Sequence, residues 1–110
     1  MYDHNQNKRK IMKIVMSMKW EGVTPDQYNK LRKIINWETE VPKGALFHVA
    51  GFDAAGIRVM DIWESEEQFN TFVQTRLMPG TAEAGITGAP QVEIYPAYSI
   101  FAPHPEQLKL

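Results

Sequence analysis

The chain has 110 residues, of which 44% are hydrophobic and 23% charged, with a net charge of −1 and no cysteine. That length supports one domain with a single core, the composition excludes a largely disordered chain, and the missing cysteine excludes disulfides, a thiol nucleophile and Cys-ligated metal. Apart from Lys8-Arg9-Lys10 the basic residues are scattered, so no basic stripe exists to follow a nucleic-acid backbone and nucleic acid is not an expected partner.

Residues 1–9 are polar and aperiodic, and are expected to form a tail that includes His4. The segment that follows is interrupted by Lys13 and lacks a cleavage site, so it reads as a strand and not as a signal peptide. From Lys10 to Trp20, Met12, Ile14, Met16 and Met18 alternate with more polar neighbours, the period of a first strand. Thr24-Pro25-Asp26-Gln27 supplies an N-cap, a proline at the first helical position and a capping-box Gln. A helix is expected to about Asn36, with Tyr28, Leu31, Ile34 and Ile35 on its apolar stripe. Trp37 to Lys43 connects it to the next element.

Ala45–Glu64 reads as two apolar strands folded around Asp53-Ala54-Ala55-Gly56, with Gly56 supplying a positive φ. A four-residue loop pairs Phe52 with Ile57, Ala50 with Val59, His48 with Asp61 and Leu46 with Trp63, so His48 and Asp61 meet. A three-residue loop instead sets Val49 opposite Asp61 and sends His48 to the other face. Ser65-Glu66-Glu67-Gln68 is a second capping box, opening a helix to about Met78 with Phe69, Phe72, Val73 and Leu77 buried. Pro79-Gly80 is expected to stop or bend it. Residues 81–90 are rich in Gly and Ala and are expected to hold one short helical turn and a loop. Val92, Ile94, Tyr98 and Ile100 mark a last strand, which Pro96 places at an edge. A tail spans 104–110, leaving one domain over 10–103.

The order strand, helix, strand, strand, helix, strand gives an α+β, ferredoxin-like βαββαβ fold. Its four-stranded antiparallel sheet carries both helices on one face, with the first and third strands central. The hairpin is apolar on both faces, and two helices cover only one. The other face calls for a second layer, and a homodimer supplies it. No apolar run is long enough to span a membrane, and the absence of cysteine fits a cytoplasmic protein.

The Thr-Pro-Asp-Gln-Tyr helix start, the Phe47-His48-Val49-Ala50-Gly51 strand and the junction Asp61-Ile62-Trp63-Glu64-Ser65-Glu66-Glu67-Gln68-Phe69 resemble the dimeric α/β-barrel superfamily. The nearest likeness is to small bacterial proteins related to the antibiotic biosynthesis monooxygenases. The resemblance covers about Lys10–Pro103 and implies two sheets packed into a barrel across a dimer, with a pocket between each sheet and its helices. Its members include cofactor-independent oxygenases, haem-degrading enzymes, isomerases and proteins of no known activity, and fold membership does not choose among them.

His48 and Asp61 are the candidate catalytic residues. A carboxylate beside imidazole orients the ring and raises its basicity, and an acid between Met60 and Ile62 is costly to bury unpaired. Arg58 is a second potential partner for that acid. Trp63, Arg58, Tyr95, Trp37 and Met16 are the candidate ligand-binding residues, while Tyr98 is expected to be packed. The three histidines are far apart in sequence with no ligand spacing, so neither metal nor any other cofactor is expected. The expected ligand is small and apolar or aromatic, and the expected chemistry is His-assisted proton abstraction of a monooxygenase-like or isomerase-like kind. The alternative is a non-catalytic binding or dimerisation module with a structural His-Asp pair.

Overall fold

Alternation along the first strand decides where the core lies. In the computed structural model, which describes residues 12–110, strand β1 (Ile14–Glu21) buries Ile14, Met16, Met18 and Trp20 on one face. The expected tail over 1–9, and Lys10 as the start of β1, lie outside the described residues. Helix α1 (Pro25–Ile35) begins with both halves of the Thr24/Gln27 capping box. It ends where Asn36 turns left-handed at φ 58°, and it buries Leu31 and Ile35 against the sheet.

Strands β2 (Ala45–Phe52) and β3 (Gly56–Trp63) form the hairpin. At its tip the Asp53 carboxylate accepts from the backbone N–H groups of Ala55 and Gly56, and the Asp53 N–H donates to the Gly56 carbonyl. Gly56 lies against the Trp20 carbonyl so closely that no Cβ fits there. Phe52 pairs with Ile57, Ala50 with Val59 and His48 with Asp61, the register of the four-residue loop. The expected Leu46–Trp63 pair does not form. Ala45 stands opposite Trp63, and the ladder shifts between Ala45 and Phe47, so Leu46 is the surplus residue of a bulge. The connection from α1 is anchored there by the Gly44 carbonyl, which accepts from Glu64 N–H, and this brings the chain into the ladder one residue early.

Ser65 caps helix α2 (Glu66–Phe72) by accepting from Gln68 N–H. In place of the reciprocal half of a capping box, the Ser65 hydroxyl donates to the Gln68 side-chain oxygen. The helix does not stop near Met78. A π turn (Val73–Leu77) follows, in which Met78 N–H reaches the Val73 carbonyl, and helix α3 (Met78–Glu83) continues it. The wider turn places Pro79 at the start of a fresh α segment, where its missing N–H costs little. The stop comes at Gly85, φ 75°, where Gly85 and Ile86 donate back to Ala82 and Thr81 in a Schellman arrangement.

Among the described residues strand β4 (Gln91–Pro96) pairs only with β1, so the sheet order is β2-β3-β1-β4 with every pair antiparallel. The chain thus has the expected ferredoxin-like α+β fold, with β1 and β3 central and the proline-bearing strand at an edge. The last strand is shorter than expected, because it ends at Pro96. Ile100 is exposed, and Tyr98, expected to be packed, is fully exposed as well. Beyond the ladder, alternation no longer places a side chain in the core. Among the described residues no helix is long and apolar enough to cross a membrane.

Helix α3 meets α1 through Gly80, where an added Cβ would stand 2.6 Å from Ile35 Cγ1 and 2.8 Å from its Cδ1. Gly80→Ala gains helix propensity of up to about 1 kcal/mol but overpacks this contact at a cost of about 1–3 kcal/mol. Net destabilisation is expected, read as a lowered midpoint of thermal or urea unfolding.

Candidate functional site

The hairpin register brings two polar side chains together on the helix-facing side of the sheet. His48 Nδ1 lies 2.7 Å from Asp61 Oδ1. Asp61 is buried at 6% exposure, and Trp63, two residues along the same face of β3, donates from Nε1 to its other oxygen, Oδ2, at 3.0 Å. Each carboxylate oxygen therefore faces a ring nitrogen. From α1, Tyr28 reaches down so that its hydroxyl oxygen is 2.7 Å from His48 Nε2.

For a neutral His48 one placement of the protons fits these contacts. As a carboxylate Asp61 only accepts, so His48 Nδ1 carries hydrogen toward it. In the neutral ring Nε2 is then a lone pair, and Tyr28 O–H donates to it. Burial holds the Tyr28 phenol above its usual range, with the Arg32 guanidinium opposing and the Glu38 and Asp61 carboxylates reinforcing the shift. The result is a chain in which Tyr28 donates to His48 and His48 to Asp61, while Trp63 donates to the same carboxylate from the other end.

This chain forms one wall of a cavity of about 240 Å³ between the sheet and the helices. Met16, Met18 and Trp63 line it from the strands, and Leu31, Phe69 and Phe72 from the helices. Among the described residues that line it, Asp61 alone carries a formal charge with His48 neutral. The strap between α1 and β2, residues 36–44, closes one side with Trp37, whose ring lies 5.3 Å from that of His48 and 5.7 Å from that of Tyr28. Two arginines hold the strap. Arg32 donates to Glu38 from both Nε and Nη2. Arg76, carried on the π turn, donates from Nη2 to the carbonyls of Ile35 and Glu40 at 2.9 and 2.7 Å.

Of the residues expected at the site, His48, Asp61, Trp63, Trp37 and Met16 border this cavity, and Arg58 and Tyr95 do not. Arg58 alternates out of phase with Asp61, so its side chain leaves the opposite face and pairs with Asp53 at 2.9 Å. Tyr95 stands opposite Val15 on that same outer face, because the strand parity that turns the half-buried Ile94 toward the core turns its neighbour away. Sequence reasoning missed Tyr28, placing it only on an apolar stripe. The available signal was a hydroxyl-bearing ring on the very stripe that must cover the hairpin. Among the described residues no group of three or more His, Asp or Glu side chains is placed to hold a metal ion.

Because the Tyr28 phenol is raised, the folded protein keeps a proton that the unfolded chain loses. That contribution is intact below the unfolded value of about 10 and is lost as pH rises through the folded value. Thermal midpoints of wild type and Tyr28→Phe, followed from neutral pH upward, should therefore converge on the alkaline side. A difference that stays constant with pH would contradict the assignment.

No protein-family model matches the chain, and no curated protein matches it in sequence. Solved structures do match. SnoaB, a cofactor-independent oxygenase from Streptomyces nogalater, superposes with a TM-score of 0.60 at 10% identity, covering 81% of this chain and 96% of its own. A candidate antibiotic biosynthesis monooxygenase from Caulobacter crescentus gives 0.57 at 18% identity, covering 88% and 100%. A dimeric ferredoxin-like protein of unknown function from Thermobifida fusca gives 0.53 at 14% identity, covering 78% and 92%. At these identities the likeness is one of fold: this chain shares the ferredoxin-like architecture of antibiotic biosynthesis monooxygenase-like proteins and of small proteins of unknown function.

Proposed function

We propose that the cavity binds a small apolar or aromatic molecule bearing an ionisable hydroxyl, and that the His48 ring, oriented by Asp61, takes up its proton. The observation that carries this reading is the hydrogen-bonded chain through His48 set into an otherwise apolar wall. An imidazole tied through Nδ1 to a buried carboxylate is a better base at Nε2 and gains stabilisation once cationic. Apolar surroundings strengthen that pairing and favour uncharged planar ligands. A phenol or enol ionised there gains carbanion character, which suits cofactor-independent monooxygenation. Proton return to another carbon would instead give an isomerase. The fold likeness to a cofactor-independent oxygenase supports the first without deciding it.

The assembly we propose is a cytoplasmic homodimer formed through the outer sheet face. Phe47, Ile62, Val15 and Tyr95 lie in one row across all four strands, with Val49 and Met60 in the next. Phe47, Val49, Met60 and Tyr95 are each exposed by more than a third. Covering what remains open on each is worth roughly 1 kcal/mol. Met60→Glu should shift the protein to monomer in sedimentation, and a monomeric wild type would refute the dimer.

A second reading is a ligand-binding or dimerisation module in which His48 and Asp61 are structural. It is favoured by the Trp63 hydrogen bond, which already satisfies the buried carboxylate from the core side. The two are separated with 4-nitrophenol, whose phenolate is read by absorbance. Bound to wild type, the probe should be ionised at least about tenfold more than when bound to His48→Gln, one unit of apparent pKa. Equal ionisation in both proteins, or no binding, would sink the proton-transfer reading.

A further inference from the structure

If His48 is the base, its geometry poses a problem. Nδ1 is committed to Asp61 and Nε2 lies 2.7 Å from the Tyr28 hydroxyl, so neither ring nitrogen offers a free lone pair to a molecule in the cavity. Tyr28 is also a poor residue to displace. Its ring is nearly coplanar with that of His48, at an interplanar angle of 9°, meets Phe52 edge-on at 6.1 Å and lies against Trp37. It is the fourth residue of a helix capped at both ends. Moving the hydroxyl away means moving a ring packed between Phe52 and Trp37.

The Tyr28 oxygen has what the blocked nitrogen lacks. Its single hydrogen goes to Nε2, while its lone pairs have no hydrogen-bond donor among the described residues. The residue itself lines the cavity. A hydroxyl entering the cavity therefore meets a phenol oxygen able to accept, already hydrogen-bonded on its far side to the ring that is to take the proton.

We propose that Tyr28 is a catalytic relay: the ligand hydroxyl donates to Tyr28 Oη, and Tyr28 passes its own hydrogen to His48 Nε2. This rests on the reading of His48 as the base. The ligand O–H bond breaks as a new Oη–H bond forms, and the original Oη–H bond breaks as Nε2–H forms. Tyr28 ends as the neutral phenol it began as. The ligand is left an oxyanion, hydrogen-bonded to Tyr28, and His48 an imidazolium paired with Asp61. No oxidant or further reactant is needed for this step. The relay also accounts for a tyrosine that stays protonated: a phenol that ionised by itself would hold the negative charge in place of the ligand.

The test uses 4-nitrophenol with wild type, Tyr28→Phe and His48→Gln, and 4-nitroanisole as a probe that cannot ionise. Tyr28→Phe keeps the ring and its packing. The relay requires the ionised fraction of bound 4-nitrophenol in Tyr28→Phe to fall about tenfold, to the level of His48→Gln. 4-Nitroanisole should bind within about twofold of wild type, and the nitrogen chemical shifts of His48 should still report hydrogen on Nδ1. Those last two readouts separate loss of the relay from a collapsed site. If Tyr28→Phe ionises the probe as well as wild type does while His48→Gln does not, the ligand reaches Nε2 directly and the relay is wrong. If both variants match wild type, the base assignment falls with it. A displaced Nδ1 hydrogen in Tyr28→Phe would make Tyr28 an orienter of the ring and also overturn the relay.

Discussion

A buried carboxylate with a donor on each oxygen is the constraint from which the rest of this structure follows. Asp61 is nearly sealed from solvent, and an unpaired charge there would cost several kcal/mol. Trp63 Nε1 answers one oxygen from the same strand and His48 Nδ1 the other from across the ladder. Sliding β2 by one residue would put Val49 in place of His48 and leave Oδ1 without a partner. The acid thus selects one register of the hairpin, and with that register it selects which residues face the helices.

Once the register is fixed, the two faces of the sheet take different roles. On the helix side Ile14, Met16, Trp63 and Phe69 make a dense core around a cavity with a polar seam. The outer side carries an apolar row near one end of the sheet, while Arg58 pairs with Asp53 near the hairpin tip. The helix-side chemistry and the outer surface share the same strands, so any rigid cover over the outer row also stiffens the backbone that holds His48 and Asp61.

Much of this was legible in the sequence, for local physical reasons. Thr24 and Gln27 announce a helix start because two orphan N–H groups need acceptors. Asp53 and Gly56 announce the turn because one caps backbone amides and the other alone fits against the Trp20 carbonyl. The alternation of β1 marked its core face, and the order of the elements set the topology. What escaped depended on contacts between distant segments. Nothing near Leu46 marks a bulge, because the surplus is set by how the strap docks at Gly44. Pro79 looks like a stop until the π turn ahead of it is known. Tyr28 reads as one more apolar-stripe residue until α1 is laid on the hairpin and its hydroxyl arrives at a nitrogen 20 residues away. Arg58 and Tyr95 were among the expected ligand-binding residues, and both stand on the outer face, away from the cavity.

The bulge at Leu46 has a consequence for how such a site diversifies. Between the left-handed Asn36 and Leu46 lies the strap that supplies Trp37, Val41 and Pro42 to the cavity. A bulge takes up a change in chain length locally, upstream of the ladder positions that pair Phe47 onward. Residues can be exchanged, added or removed in the strap while His48 stays opposite Asp61. The length of the strap can therefore change without shifting the register that holds His48 opposite Asp61, although Trp37 still ties the strap to the His48 ring by direct contact.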